Sequence, residues 1–176
     1  MKTLGLRARA ILGSVLFLFV APGTVVGLVP WWISKWKVLP TPPGFLVVQL
    51  IGILMLAVSV LILLEAFARF ALQGIGTPAP VSPTRHLVVT GFYRFVRNPM
   101  YVAVVAAILG QSMILANLML VLYAAVVWIV TNLFVVIYEE PTLRRKFGNE
   151  YADFRANVPR WIPRLRPWSG PAGRGQ

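Results

Sequence analysis

The sequence predicts an all-α integral membrane protein: about four transmembrane helices with a helical C-terminal tail on the cytoplasmic side. Three observations lead there. Hydrophobic residues make up 58% of the chain and charged residues 12%, where a soluble domain carries about 25% charged residues. The charges are segregated, with none in residues 10–34, 38–64 or 98–138. Uncharged apolar runs beyond about 18 residues are span candidates. A chain of 176 residues has no room for the soluble protein that would bury such runs as core helices.

The elements follow in order. The start, MKTLGLRARAILGSVLFLFVAPG, has the basic and then apolar character of a signal peptide. Its apolar run continues to Ile33, so it predicts a retained first span from Ile11 to Ile33, kinked at Pro22 and Gly23. Trp31, Trp32 and Trp36 then lie at the far interface. A proline-punctuated loop, SKWKVLPTPP, leads to a second span over Gly44–Leu64. That span continues as helix through EAFARF, where Glu65 and Arg69 stand four apart and can pair. QGIGTPAPVSP, residues 73–83, has the Gly and Pro density of a loop. The uncharged run from 98 to 138 is too long for one span and suits two joined tightly. Asn117 is the expected turn, giving a hairpin of Pro99–Ala116 and Leu118–Tyr138.

Four spans place both termini on one side. Fifteen of the seventeen Lys and Arg residues then share that side, and only Lys35 and Lys37 lie on the other. By the positive-inside rule the crowded side is cytoplasmic. In the tail, Leu143, Phe147, Tyr151 and Phe154 recur at amphipathic spacing. Trp161 and Trp168 among arginines predict an interfacial segment. The chain thus divides into a two-span region (1–72), a cytoplasmic loop (73–98), a transmembrane hairpin (99–138), a cytoplasmic or interfacial tail (139–168) and a stretch expected to be disordered (169–176).

The net charge of +12 does not point to nucleic acid, because the basic residues flank spans instead of forming a basic domain. The partner implied is the lipid bilayer. No cysteine is present and His86 is the single histidine, which excludes disulfides, a thiol nucleophile and Cys- or His-rich metal sites. Chemistry must come from carboxylates, Tyr, Arg, Asn, backbone groups or a bound cofactor.

Candidate residues cluster at the cytoplasmic ends of the hairpin. Asn98-Pro99 combines a favoured N-cap with a favoured first helical residue, so the third span starts there and offers N–H groups to an anion. Glu139-Glu140 follows Tyr138 where the fourth span is expected to end. There the helix dipole disfavours negative charge unless a cation is near. Arg94, Arg97, Arg144 or Arg145 can supply it, and so can a bound ammonium or sulfonium. Tyr93 and Tyr101 bracket the Asn-Pro start. They suit an interfacial belt, a stacking wall or a cation–π partner. Arg94 and Arg97 suit lipid headgroups or an anionic substrate.

Taken together, HLVVTGFYRFVRNPMY and VIYEEPTLRRKFGNEYADFRANVPRWIPR resemble the isoprenylcysteine carboxyl methyltransferase and phospholipid methyltransferase superfamily. The shared pattern is G-x-Y-x-x-x-R-[HN]-P-x-Y, a helical hairpin, then E-E, F-G-x-E-Y and V-P. It covers residues 84–165, about half the chain. The resemblance implies an integral membrane methyltransferase that uses S-adenosylmethionine and no metal. It implies cofactor binding by Arg85, His86, Leu87, Val88, Tyr93, Asn98, Pro99, Met100, Tyr101 and Glu139.

This sequence departs from the pattern twice. Asn98 stands where many members carry His, and an amide is no base near neutral pH. Val135 stands where the prenylcysteine enzymes carry a substrate-binding Arg, four residues before Glu139. A substrate carboxylate buried there would lack a cation. Asn132 is the nearest polar side chain on that span. Substrate candidates are therefore Arg94, Arg97, Asn132 and Glu140, and the acceptor is a lipophilic or small molecule: a phospholipid amine, a thiol, or a carboxylate held in another way. Two other classes fit the same residues: a non-catalytic scaffold or lipid-binding protein keeping the fold, and a membrane reductase resembling the sterol reductases.

Overall fold

The computed structural model of the chain describes residues 20–73 and 87–170. The start of the expected first span, most of the 73–83 loop, and Arg85 and His86 lie outside the described residues. The described residues form helices and the loops between them, with no strand among them: α1 (Val20–Ser34), α2 (Leu46–Gln73), a short 3-10 turn (Gly91–Arg94), α3 (Pro99–Leu115), α4 (Leu118–Phe134) and α5 (Glu140–Asn157). Two helical stretches, Leu46–Arg69 and Leu118–Asn157, are long and apolar enough to cross a membrane; α1 and α3 are apolar but shorter. Only 11% of the apolar window of α2 is buried. The core helix of a soluble protein would be mostly covered, whereas α2 leaves Leu46, Leu50, Leu54 and Leu61 more than half exposed.

The molecule is organised around the pairing of α2 with α3, its most extensive helix contact. Small residues let the two backbones approach closely. A Cβ at Gly52 would stand 2.7 Å from the Gly110 carbonyl oxygen, and one at Gly110 would stand 2.8 Å from the Gly52 oxygen. Around this crossing Leu63, Phe67, Ala103, Val104, Ile108 and Leu115 make one core with Leu120 and Ala124 of α4. The hairpin turns where expected. Ala116 is left-handed (φ 53°), and the Asn117 side chain accepts from the Met119 N–H at 3.0 Å, capping α4.

Two π-helical turns interrupt the helices, and each is closed by the N–H of the residue before a proline. In the first, Gly23–Leu28, the Val29 N–H bonds the Thr24 oxygen and Pro30 comes next. In the second, Val135–Glu139, the Glu140 N–H bonds the Val135 oxygen and Pro141 comes next. A proline ring inside an α-helix collides with the carbonyl four residues back and brings no N–H. Widening the turn before it relieves the collision but leaves carbonyls without partners. At Pro30 those are Val25 and Val26. The Tyr123 hydroxyl donates to the Val25 oxygen (3.0 Å) and Gln111 Nε2 to the Val26 oxygen (2.8 Å). Two polar residues in apolar helices thus meet the needs of a proline in a third. The π turn starts at Gly23, where a kink was expected, and Pro30 explains it.

The second π turn changes the expected end of the fourth span. The chain does not leave its helix at Tyr138; it remains helical into α5. The glutamates therefore lie within a continuing helical path and not at a C-terminus, so the unfavourable dipole expected there does not arise. Within α5, Gly148 breaks the helical path with φ 51°. Leu143, Phe147, Tyr151 and Phe154 still converge on one cluster with Val158 and Leu87. Trp168 joins them, stacked on Phe154 at 5.9 Å.

Substituting Gly110 with Ala should destabilise the detergent-solubilised protein. Helix propensity favours Ala over Gly by about 1 kcal/mol, but overpacking a tight contact costs about 1–3 kcal/mol. A lowered midpoint in thermal unfolding is the expected result, and a raised one would show that the crossing is loose.

Candidate functional site

The site forms where the Gly91–Tyr101 segment, the end of α4 and the tail meet. Gly91 has φ +56°, and the space a side chain would fill there is occupied by the paired Arg69 and Glu65 side chains of α2. Only glycine allows the turn to pass this ion pair. The turn carries Tyr93, 7% exposed, into a cluster with Ala66, Val88 and Met100. Burial pushes the Tyr93 phenol well above its ordinary value, with Glu139, Tyr101 and Glu65 adding to the effect through their charge. Tyr93 therefore stays protonated near neutral pH and stands among both carboxylates and the second tyrosine.

Pro99 starts α3, as its fixed φ favours. Asn98 does not cap it: the buried side chain makes no bond to the helix and donates instead from Nδ2 to the Arg160 oxygen at 3.1 Å. One turn on, the Tyr101 hydroxyl donates to Glu139 Oε2 at 3.0 Å, joining the start of α3 to the end of α4.

Glu140 is held differently. Arg97 Nη1 donates to Oε1 at 2.8 Å, Arg160 Nε to the same oxygen at 2.6 Å, and Arg160 Nη2 to Oε2 at 2.9 Å. The Glu140 and Arg97 side chains are 12% and 9% exposed. Arg97 also reaches the Tyr151 hydroxyl at 3.2 Å, and its buried Nε has no partner among the described residues. Burial works against the Glu140 charge, but the hydrogen bonds of Arg160 and the charges of Arg97, Arg160 and Arg155 outweigh it and hold the carboxyl below its ordinary value.

Of the cations expected near the glutamates, Arg97 is one partner. Arg94 lies elsewhere, donating from Nε to the Trp168 oxygen at 2.6 Å. Arg160 was not anticipated. It is 20 residues from Glu140 along the chain, and only the path of the tail brings it back. The tail is laced to the motif segment by backbone bonds: Arg97 N–H to the Pro159 oxygen, Arg164 N–H to the Phe95 oxygen and Trp168 N–H to the Arg94 oxygen, each 2.9 Å. Asn132 accepts from the Trp161 indole at 3.0 Å, and Val135 is fully buried. Glu65 is the residue that sequence reasoning left out of the site. Its i, i+4 pairing with Arg69 explained it locally, yet one of its oxygens is buried without a partner among the described residues. No cluster of three or more His, Cys, Asp or Glu able to hold a metal occurs among the described residues.

The sequence profile of the phospholipid methyltransferase family matches residues 47–150, more than half of the chain. The chain belongs to the phospholipid methyltransferase family. The match begins at the start of α2 and ends within α5, so it contains the helix crossing, the Gly91–Tyr101 turn and both glutamates. It places the chain among the membrane methyltransferases of the wider isoprenylcysteine and phospholipid methyltransferase superfamily. No curated protein matches the chain.

The Glu140 arrangement carries a pH prediction. A carboxylate whose folded value is lowered adds stability that is fully present above its ordinary value and fades as pH falls through the lowered one. The stability advantage of wild type over Glu140→Gln should be constant near neutrality and shrink only below about pH 4. Parallel unfolding curves from pH 3 to 8 would measure it; an advantage that vanishes by pH 6 would contradict it.

Proposed function

We propose that the chain is an S-adenosylmethionine-dependent methyltransferase that crosses the membrane four times, with its site and both termini cytoplasmic. The acceptor is a lipid-borne amine. Four spans are supported by the two long apolar stretches together with the shorter apolar α1 and α3, and the side by the placement of fifteen of the seventeen Lys and Arg residues.

The Tyr101–Glu139 pair is the observation that carries the cofactor reading. Of two adjacent glutamates, Glu140 is neutralised by two guanidinium groups, while Glu139 meets only a phenol among the described residues. A half-buried carboxylate flanked by Tyr93 and Tyr101 suits a cationic ligand with a flat ring. Leu87, Val88, Asn98, Pro99 and Met100 border the same turn, with Arg85 and His86 preceding it in the chain.

When bound, S-adenosylmethionine supplies an electrophilic methyl group on a sulfonium. The chain's part is position and a dry site. Glu139 provides counter-charge and Tyr101 fixes the orientation of its carboxylate. Tyr93, protonated, can donate a hydrogen bond but is no base. The tail roofs the site. An amine acceptor fits Val135, which leaves no cation for a substrate carboxylate, and fits the family of the match.

Calorimetric titration of S-adenosylmethionine into the detergent-purified protein tests this. Wild type should bind in the micromolar range and Glu139→Gln at least about tenfold more weakly, equivalent to about 1.4 kcal/mol, with little change in thermal stability. No binding by folded wild type would overturn the proposal, and equal binding by the variant would remove Glu139 from the site.

A further inference from the structure

The tail segment between Val158 and Trp168 has two sides. The inner side is fully engaged: Arg160 holds Glu140, the Arg97 and Arg164 N–H groups bond across it, and Trp168 stacks on Phe154. The outer side carries Ile162, 79% exposed, and Leu165, 100% exposed. Both are bare although the segment that carries them is tied down by the Arg164 N–H and the Arg160 side chain.

The Trp161 indole locates that partner. It donates to Asn132 on α4, seven residues before Glu139. At about 1.5 Å per residue this is about 10 Å further into the helix than the site. The face of α4 around that level is apolar and open, with Ile129, Leu133 and Ile137 at 51%, 50% and 71% exposure. Ile162 and Leu165 therefore continue a surface that a membrane-crossing helix presents to lipid. Arg166 is exposed and forms no ion pair among the described residues, as suits a side chain at the level of headgroup phosphates. Pro163 and Pro167 limit the backbone freedom of the loop.

We propose that the loop Trp161–Leu165 is a wedge inserted into the bilayer leaflet on the site's side, seated at its depth by the Trp161–Asn132 hydrogen bond. The occupant of its outer face is phospholipid, at the boundary of headgroup and acyl chain. The wedge adjoins Arg160 directly, so lipid holding the loop also holds the cation that neutralises Glu140. This rests on α4 crossing the membrane and not on cofactor binding, and the test needs no activity.

The chain has no cysteine, so single labels can be introduced cleanly. Leu165→Cys and, as a solvent-facing control on α5, Ala156→Cys would each carry an environment-sensitive NBD fluorophore in phosphatidylcholine–phosphatidylglycerol vesicles. The Leu165 label should emit at short wavelength and be quenched at least twofold by lipids spin-labelled near the top of the acyl chain, while the Ala156 label stays unquenched. Water-like emission from the Leu165 label would overturn insertion. Adding Trp161→Phe, which keeps a ring but loses the N–H, should reduce the quenching at Leu165; unchanged quenching would overturn the seating by Asn132.

Discussion

The neutralisation of one carboxylate organises the end of the described structure where the tail meets the helices. Glu140 is half-buried at the start of α5 and accepts from two arginines that arrive from opposite directions, Arg97 just before α3 and Arg160 from the tail. A partly desolvated charge is tolerated only where paired, and removing one partner of a buried pair costs about 3–5 kcal/mol. Three parts of the chain are thus held to one point. Asn98, bonded to the Arg160 carbonyl, and Tyr151, bonded to Arg97, brace the same junction. With Glu140 committed, its neighbour Glu139 accepts from Tyr101. Two adjacent residues of one chemistry thereby acquire different surroundings.

What positions the glutamates is a backbone effect of proline. Pro141 requires the turn before it to widen, and a widened turn changes which face the following side chains occupy. The equivalent device at Pro30 lies at the other end of the helices, where Gln111 and Tyr123 supply the missing hydrogen bonds. In an apolar surround each orphaned carbonyl is expensive, so these two polar side chains have a structural explanation and need no functional one. The same reasoning applies to Gly91, whose missing side chain leaves room for the Glu65–Arg69 pair beside Tyr93.

Local signals were legible in the sequence and long-range ones were not. Uncharged apolar runs located the helices, Asn117 marked the hairpin turn, Glu65 and Arg69 paired at i, i+4, and the stripe from Leu143 to Phe154 predicted one packed face. Each depends on residues within two turns of one another. Arg160 reaches Glu140 through a tail whose path no periodicity encodes. Asn98 matched the cap pattern, yet a carbonyl of that same tail competes for its side chain. Nothing in the arginine neighbours of Trp168 signalled its stack on Phe154. The π turns had a readable cause in Pro30 and Pro141, although nothing in composition says whether a proline ends a helix or widens it. The residues of the motif were legible through resemblance, while the pairing of Glu140 with two arginines and of Glu139 with Tyr101 needed coordinates.

A double-mutant cycle on Glu140 and Arg160 tests the central constraint most directly. Thermal unfolding of Glu140→Gln, Arg160→Met and the double variant in one detergent gives the coupling between them. If the pair holds the tail to the hairpin, each single variant is destabilised by about 2–4 kcal/mol and the double by clearly less than their sum, a coupling of about 1–3 kcal/mol. Additive losses would mean that the two side chains act independently and that something else joins the tail to the site.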